Sequence, residues 1–179
     1  ITFAASDWIQ IENNLENSEN VRVDNSDIFN TTLTFQLDGF ESIEIEGEEG
    51  NIIRLPKAAQ ILEAGAPDLP MKSASIIIPD DKAMDVRIIN SSYTDYPNID
   101  ILPSKGNLSR LINPEIVPYE FGDIYLKNSF YPGNLIELRD PYILRDVRGL
   151  AVVVYPIQYN PVTKTLRVYS KITVEVYSN

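Results

Sequence analysis

The stretch GLAVVVYPIQYNPVTKTLRVYSKITVEVYSN, residues 149–179, contains two runs rich in Val, Ile and Tyr. The segment between them, residues 160–164 (NPVTK), has the turn-forming residues typical of a hairpin connection. The second run alternates, and its Arg, Tyr, Lys, Thr and Glu residues fall on the positions between the mostly apolar set Leu166, Val168, Ser170, Ile172, Val174 and Val176. A period of two with one apolar face predicts a half-buried antiparallel strand.

Short strand-like segments recur along the rest of the chain, separated by turn residues. They cover residues 8–12, 31–38, 41–46, 51–56, 73–78, 83–93 and 123–128. We expect Gly39-Phe40 to be a turn, and residues 57–64 are the only stretch that favours a helical turn or two. Many short strands, twelve prolines and little helix predict an all-β protein. We predict an antiparallel, jelly-roll-like β-sandwich with at most one short helix, forming a single domain over residues 1–179.

The missing residue types limit the chemistry of the chain. It has no Cys, so it has no disulfide, thiol nucleophile or thiolate metal site. It has no His, so neither a Ser-His-Asp nor a Cys-His mechanism can run within it. Only carboxylates, Lys, Arg and Tyr remain for catalysis. Nothing in the sequence announces a reaction, and we expect no catalytic residues, no metal and no cofactor. No apolar run approaches the length of a membrane-spanning helix, so we expect no membrane span.

The negative charge of the chain is concentrated in its first third. Residues 1–50 hold twelve acids and one base, and residues 51–179 hold fourteen of each, so the first part carries the whole net charge of −11. A solvated sheet face is the simpler interpretation, and a functional acidic patch is the alternative. An acidic surface repels phosphate, so we expect no nucleic-acid partner.

Two acidic segments suggest cation binding but have simpler explanations. Glycines that permit a turn accompany the densest group, Glu44, Glu46, Glu48 and Glu49. The group lacks the spaced ligand pattern of a calcium loop, so we interpret it as a solvent-facing strand end. Asp80-Asp81 could act as an acid/base or cation-binding pair. A tight turn is the favoured interpretation, because Asp and Pro suit turn positions.

The middle and later parts of the chain leave two questions open. Aromatic residues of the middle could line a sugar-binding face or pack within the sheets: Tyr119, Phe121, Tyr125, Phe130, Tyr131 and Tyr142. Arg139, Arg145 and Arg148 each follow or precede Asp140 or Asp146, which favours surface ion pairs. The alternative is that one of these arginines inserts into an acidic pocket of a partner.

Between residues 94 and 133 the strand pattern loosens, and five prolines interrupt it. Residues 104–107 (SKGN) are predicted to form an exposed turn. Long ordered loops on a sandwich are usually functional or cover an edge, so this region is the first place to look for a functional site.

Two motifs carry a family resemblance. Residues 65–70 (GAPDLP), followed by residues 75–79 (SIIIP), resemble the signature of gingipain-type propeptides, the N-terminal prodomains of secreted cysteine peptidases. Residues 131–132 (YP), 148–149 (RG) and 154–166 (VYPIQYNPVTKTL) are similar to later landmarks of that family. The resemblance covers most of the chain, and the two longer motifs are specific only in combination.

The resemblance implies a non-enzymatic β-sandwich that docks on the side of the cysteine peptidase catalytic domain of its own precursor. It would block the cleft, keep the enzyme latent and assist its folding. The nucleophilic Cys and the His would belong to the mature enzyme. The resemblance also implies a bacterial protein that is secreted, periplasmic or at the cell surface, after removal of a signal peptide that this chain does not contain. Latency would come from a basic side chain on a loop, with Lys105 before Gly106, then Arg110, then Arg148 as the candidates.

Two other functions remain possible from the sequence. A secreted binding module for glycan or a surface protein would show exposed Tyr side chains in a row on one flat face. A prodomain would instead show a protruding basic loop beside a broad flat patch. A carboxylate hydrolase would need two acids about 5–10 Å apart in a cleft, and nothing in the spacing suggests such a pair.

Overall fold

The computed structural model describes residues 3–11, 21–27 and 29–178. All pairings between the named strands are antiparallel, and the described residues contain no α-helix, which confirms the predicted fold class. The strands are β1 (Phe3–Gln10), β2 (Val21–Ser26), β3 (Asn30–Gln36), β4 (Gly39–Ile45), β5 (Asn51–Arg54), β6 (Ala59–Gln60), β7 (Pro70–Ile77), β8 (Met84–Tyr96), β9 (Ile136–Leu138), β10 (Tyr142–Leu144), β11 (Val147–Val154), β12 (Ile157–Asn160) and β13 (Thr165–Ser178). Two short 3-10 helices cover Pro114–Ile116 and Asp123–Leu126.

Two five-stranded sheets form the sandwich. The first has the order β12-β13-β3-β2, with β8 on the other side of β13. The second has the order β10-β11-β7-β6, with β9 also paired to β11. The core between them includes Phe35, Val152 and Val174, which are almost completely buried. Burial of these apolar side chains is the main term that holds the two layers together.

Strand β13 confirms the alternation seen in the sequence. Leu166, Val168 and Val174 have no exposed surface, and the residues between them are mostly half-buried. Both edges of β13 are paired, by β8 on one side and by β12 and β3 on the other, so it is a central strand. Tyr169 departs from the pattern and is buried, and the pairing with β8 shifts register next to it, between Tyr169 and Lys171.

A third sheet, β1-β4-β5, packs against one end of the sandwich. Its Phe40 and Ile53 are fully buried against Ile157 and Leu166 of the first sheet. A smaller cluster behind it joins Ile43, Ile45, Ile52 and Leu102. This end of the molecule therefore holds the loops of the Pro-rich middle, which contribute Ile101 and Leu102 to the two cores.

The terminal hairpin is confirmed, with Asn160 opposite Thr165, but the run before it is not one strand. The chain breaks at Tyr155-Pro156, where the sequence alone shows a continuous apolar run. Residues before the break pair with β7 in the second sheet, and residues after it pair with β13 in the first. Pro156 has no N–H to donate to a ladder, so it suits the point where the chain changes sheets.

Three local predictions are wrong. Residues 57–64 are not helical: a turn at Pro56-Lys57, where Lys57 has a φ of 53°, leads into β6. Residues 123–128 are not a strand, because bonds from Tyr125 N–H to Gly122 and from Lys127 N–H to Ile124 close 3-10 turns. Gly39 and Phe40 belong to β4, and the turn lies at residues 37–38.

Gly39 is needed for close packing of two strands. A Cβ at this position would lie 2.5 Å from the carbonyl oxygen of Ile9 and 2.6 Å from the Trp8 ring. The first predicted strand is found as β1, and Glu12, its predicted end, lies outside the described residues.

Candidate functional site

The GAPDLP motif forms the base of the site. Residues 66–70 are buried and run beside residues 102–104 at the end of the sandwich. The Asp68 N–H donates to the carbonyl of Leu102 at 3.0 Å, and the Ser104 N–H donates to that of Ala66 at 2.7 Å. The motif therefore fixes where the loop after Ser104 leaves the body of the domain.

Two glycines allow the segments of this base to meet. The Gly122 N–H donates to the carbonyl of Gly65 at 2.9 Å, and a Cβ on Gly122 would lie 2.9 Å from that same oxygen. Gly65 has a φ of +79°, a conformation that favours glycine. The first position of GAPDLP, Gly65, thus has a backbone function rather than a chemical one.

The carboxylate of Asp68 is buried and satisfied by its neighbours. Arg54 Nη2 donates to it at 3.1 Å and Gln60 Nε2 at 2.9 Å. A buried carboxylate with two such donors is a structural anchor, because breaking either bond leaves a desolvated charge. Asp68 joins β5 and β6 to the start of β7.

Lys105 closes a loop that we call the clamped loop, residues 105–114. Its Nζ donates to the carbonyl of Pro114 at 2.8 Å and lies 4.0 Å from the centre of the Tyr119 ring. Asn113 then begins a 3-10 helix, with its side-chain oxygen accepting from the Glu115 N–H at 3.0 Å. The Lys105 side chain thus lies against the domain and ties together the two ends of the loop.

Gly106, the other predicted residue of this turn, follows directly and has a φ of +79°. Its N–H donates to Ser104 Oγ at 3.1 Å, and a Cβ here would approach Ala64 Cβ to 3.0 Å. The predicted exposed turn at residues 104–107 is therefore mostly packed: Ser104 is buried, and Asn107 is exposed.

Arg110 lies at the exposed tip of the clamped loop. The Ile112 N–H donates to the carbonyl of Ser109 at 2.9 Å, which makes a tight turn around Arg110 and Leu111. Leu111 is 96% exposed, and Arg110 is also exposed. Within the described part of the chain the guanidinium of Arg110 has no hydrogen bond or ion pair. A free cation is therefore held outward by a loop with a fixed base.

Arg148 has a different environment. Its Nη1 donates to the carbonyls of Pro79, Asp80 and Lys82 at 2.8, 3.2 and 2.8 Å. The guanidinium thereby holds the turn that Asp80 and Asp81 form between β7 and β8, as predicted for these acids. The expected pairing of the arginines with Asp140 or Asp146 is wrong for Arg148, and Arg139 pairs with Glu137 at 2.9 Å instead.

The second motif, PIQYNP, binds the later part of the Pro-rich middle. Tyr159 and Tyr131 exchange two backbone hydrogen bonds of 2.8 Å. Gln158 Nε2 donates to the carbonyl of Pro132 at 2.7 Å, and Asn160 Nδ2 donates to Asn128 Oδ1 at 2.9 Å. The two amide side chains of the motif thus attach residues 128–132 to β12.

Most of the middle aromatics pack rather than form an exposed row. The hydroxyl of Tyr125 donates to the carbonyl of Ile101 at 2.8 Å, and that of Tyr131 donates to Glu63 at 2.8 Å. Burial raises the pKa of both phenols well above the usual range. Phe121 and Tyr142 are exposed, at 60% and 40%, and they belong to different parts of the fold. The packing interpretation holds for Tyr125 and Tyr131.

The acidic segments behave as surface groups where the structure describes them. Glu44, Glu46, Glu48 and Glu49 are exposed around the turn between β4 and β5, as predicted for a strand end. Among residues 3–11, 21–27 and 29–178, no three acids are grouped so that they could hold a metal ion. In the same ranges no helix is long and apolar enough to cross a membrane.

Sequence reasoning missed one surface. Ile77 is 75% exposed at the end of β7, and Leu144 is 67% exposed in the neighbouring hairpin of β10 and β11. Apolar residues near a run of strand-forming residues look like core in a sequence. Only the pairing of β10, β11 and β7 shows that these two side chains face outward together.

The fold and the two motifs place this chain among the all-β propeptides, and comparisons with known proteins give the family. The sequence matches Propeptide_C25 over residues 12–179, and the chain belongs to this family. The resemblance to gingipain-type propeptides is thereby confirmed.

The relatives are gingipains of Porphyromonas gingivalis. Gingipain R1 is 40% identical over 148 residues, which are 82% of this chain and 15% of that protein. Gingipain R2 is 40% identical over 147 residues, which are 80% of this chain and 20% of that protein. The chain thus spans 15–20% of the length of these curated relatives.

Two solved structures share the fold. One is a complex of the Porphyromonas gingivalis RgpB pro- and mature domains, with 36% identity and a TM-score of 0.84 over 90% of this chain and 86% of that chain. The other was solved for the zymogenic latency of gingipain K, with 22% identity and a TM-score of 0.80 over 98% of this chain and 99% of that chain. At that lower identity the second comparison supports the fold alone.

Proposed function

We propose that this domain keeps a gingipain-like cysteine peptidase latent and that Arg110 is the residue that enters the cleft of the enzyme. The observation that carries the proposal is the free guanidinium of Arg110 at the tip of the clamped loop, in a member of a propeptide family. A peptidase that accepts a basic side chain needs an acidic pocket, and a planar guanidinium can bind a carboxylate there with two hydrogen bonds.

Arg110 is preferred over the other two basic candidates because of their contacts. The ammonium of Lys105 donates to the Pro114 carbonyl and contacts the Tyr119 ring. The guanidinium of Arg148 donates to three carbonyls of one turn. Inserting either into a partner would first break these interactions. Gly106 contributes to the shape of the clamped loop, because it allows the backbone to turn tightly beside Ala64.

The fixed base of the loop supports tight binding. Ordering a flexible loop on association costs about 0.5–1.5 kcal/mol for each rotamer-rich side chain that is immobilised. The Lys105–Pro114 bond and the buried GAPDLP base order the ends of the loop before binding. Less of that cost then remains when the tip enters the cleft.

The domain itself is proposed to be non-catalytic and to act as one folding unit over residues 1–179. It would also assist the folding of the catalytic domain in its own precursor, as a rigid surface on which that domain assembles. We propose an extracellular or cell-surface location, in line with its relatives among the gingipains. Release would follow proteolysis in exposed segments, where cleavage concentrates.

The glycan-binding alternative has little support in the structure. A binding face of that kind would present several Tyr side chains in a row. Tyr93 and Tyr142, exposed by 51% and 40%, lie in different sheets. The clamped loop with its exposed Arg110 is the feature that favours a prodomain over a glycan-binding module.

The test is a titration of the mature catalytic domain with this chain and with its Arg110→Ala variant. We expect the wild-type chain to inhibit stoichiometrically. The variant should raise the inhibition constant by about 100- to 1000-fold, the range of an interface hot spot of roughly 3–4 kcal/mol. Arg139→Ala is the matched control, since it removes a surface arginine that pairs with Glu137. Full activity at excess wild-type chain would refute the inhibitory role, and equal inhibition by Arg110→Ala would refute the assignment of Arg110.

A further inference from the structure

Strand β7 has one edge that is paired along its whole length and one that is mostly free. On the first edge, β11 pairs with residues 72–77. On the second edge, β6 covers only the first two residues of β7, Pro70 and Met71. Within residues 3–11, 21–27 and 29–178, no further strand pairs with this second edge. We call its unpaired part, residues 73–77 (SASII), the open edge.

The hydrogen bonds of β7 show which backbone groups face the open edge. The Ile78 N–H donates to the carbonyl of Arg148 at 3.0 Å, so the even-numbered residues of β7 direct their backbone groups at β11. Successive strand residues point these groups to alternate edges. The N–H and C=O groups of Ser73, Ser75 and Ile77 therefore point away from β11. In the part of the chain that the structure describes, these groups have no hydrogen-bond partner.

The open edge lacks the features that usually keep free strand edges from pairing. Those features are charged side chains, prolines and bulges. Residues 73–77 contain neither a charge nor a proline, and the pairing of β7 with β11 has no register shift. By contrast, β8 contains Asp85, Arg87 and Asp95, and its pairing with β13 shifts register twice. The open edge is therefore the regular, unprotected edge of the sandwich, and it is a template for a further strand.

The core is incompletely closed beside the open edge. Ala74 and Ile76 point inward and pack against the core between the two five-stranded sheets, but both are only half-buried. An added strand would remove more of their apolar surface from water, and this burial favours association.

The open edge is complementary to itself, which favours a second copy of the chain as the added strand. About a two-fold axis at Ser75, antiparallel pairing places Ser75 opposite Ser75 of the second copy and Ser73 opposite its Ile77. These are the residues whose N–H and C=O groups point outward, so each opposed pair can exchange two hydrogen bonds. Residues 51–179, which include β7, hold fourteen acids and fourteen bases, so the excess negative charge lies outside this part of the chain.

The ends of the open edge fit the same arrangement. Pro79 follows β7, so the strand of the second copy would end where β6 begins. Asp80 and Asp81 of the second copy would then lie near Lys57, which is exposed and two residues before β6. The two-fold axis repeats this contact of opposite charges, which favours the antiparallel orientation.

We propose that the open edge of β7 pairs with the open edge of a second copy, with Ser75 opposite Ser75, so that two sheets join into one continuous sheet. A five-residue edge buries less than the standard interface of about 1,600 Å², so we expect a dissociation constant of about 10–100 μM for the dimer. This inference does not rest on the proposed function, because it involves neither the clamped loop nor a catalytic domain.

Charge substitutions at Ser75 test both the edge and the register. Sedimentation equilibrium of the wild-type chain should show a monomer and a dimer in exchange. Ser75→Lys and Ser75→Asp each place like charges opposite one another, so each should raise the dissociation constant at least about tenfold. An equimolar mixture of the two variants should dimerise to within about threefold of the wild type, because Lys then lies opposite Asp. Ser92→Lys, at an exposed position of β8, is the control and should dimerise like the wild type.

Amide hydrogen exchange gives a second measurement at residue resolution. In concentrated samples the N–H of Ser75 should exchange more slowly than in dilute ones, because it becomes hydrogen-bonded only in the dimer. The N–H of Ala74 faces β11, so its exchange should change little with concentration.

Three results would overturn the inference and leave the proposed function intact. A wild-type chain that remains monomeric up to about 1 mM would show that the edge does not pair with itself. A dimer that persists in both Ser75 variants would assign the association to another surface. Dissociation by both variants without recovery in their mixture would refute the register with Ser75 opposite Ser75.

Discussion

The ammonium of Lys105 donates a hydrogen bond to the carbonyl oxygen of Pro114 at 2.8 Å, across the base of the loop that carries Arg110. The same ammonium lies 4.0 Å from the centre of the Tyr119 ring. Both contacts lie near the surface, where solvent keeps the contribution of such interactions to stability at about 1 kcal/mol or less. Lys105 therefore orders the loop without itself being free to enter a cleft.

Replacing Lys105 should weaken inhibition by loosening the loop. We expect Lys105→Met to raise the inhibition constant about tenfold, equivalent to about 1.4 kcal/mol of ordering cost moved to the binding step. Urea unfolding should show a change of less than about 1 kcal/mol, because the clamp is near the surface. Lys127→Met, at another exposed lysine, is the control. A loss of several hundredfold would mean that Lys105 contacts the enzyme directly.

Arg148 should behave as a structural residue. Arg148→Met leaves three carbonyls of the Pro79–Lys82 turn without their shared donor, so we expect the free energy of unfolding to fall by about 2–3 kcal/mol in urea titrations. Arg87→Met removes an ion pair with Glu175 from a 63% exposed side chain and should cost less than about 1 kcal/mol. At a temperature where both variants are folded, inhibition should match the wild type. If folded Arg148→Met inhibits poorly, Arg148 has a role at the interface.

Lys72 is a buried cation on the inward side of β7. It is 4% exposed, and its Nζ has no hydrogen-bond partner within the described ranges. Burial lowers the pKa of Lys72 from 10.5 to about 8, with repulsion from Lys57 adding to the effect and attraction from Asp38 opposing it. The folded state therefore releases the proton of Lys72 more easily than the unfolded chain does.

The stability cost of Lys72 should depend on pH in a defined direction. Below pH 8 the amine is protonated in both states and the full cost applies, about 3 kcal/mol from the size of the pKa shift. As pH rises from 8 to 10.5 the cost disappears, because the folded protein loses its proton first. Lys72→Met should be more stable than the wild type at pH 7, and its advantage should shrink by about 2 kcal/mol at pH 9.5.

Urea denaturation of both proteins at the two pH values measures this change. The difference between the variant and the wild type cancels the contribution of the buried tyrosines, whose raised pKa values lower stability at alkaline pH in both proteins. An advantage that stays constant from pH 7 to 9.5 would show that Lys72 keeps an ordinary pKa in the folded state.

The sequence is sufficient to predict the features of the fold that depend on local residue patterns. The alternation around Val174 marks a half-buried strand, because a period of two survives in any sheet that buries one face. The GAPDLP and PIQYNP motifs carry the family resemblance, and both make backbone contacts with the Pro-rich middle. Gly65 at a φ of +79° is one example.

The features that the sequence does not predict depend on contacts between segments that are far apart in the chain. No local pattern shows that the Lys105 side chain reaches Pro114, or that Arg148 reaches the turn at Asp80. The tract around Tyr125 has strand-forming residues, but its hydroxyl bond to Ile101 and the close approach of Gly122 to Gly65 favour a 3-10 turn. The exposed apolar surface at Ile77 and Leu144 is missed for the same reason, since these two residues become neighbours only through β11.

The change of sheet at Tyr155-Pro156 has a consequence for how the domain is dismantled. The residues before it pair within the second sheet and the residues after it pair within the first, so one continuous segment contributes a strand to each of the two sheets. Pulling the layers apart would require β11 or β12 to leave its sheet. We therefore expect the two layers to melt together, so that a protease acting on the body of the domain meets either an intact sandwich or an unfolded chain. Loss of the domain would then be abrupt for each molecule, with no half-unfolded sandwich in between.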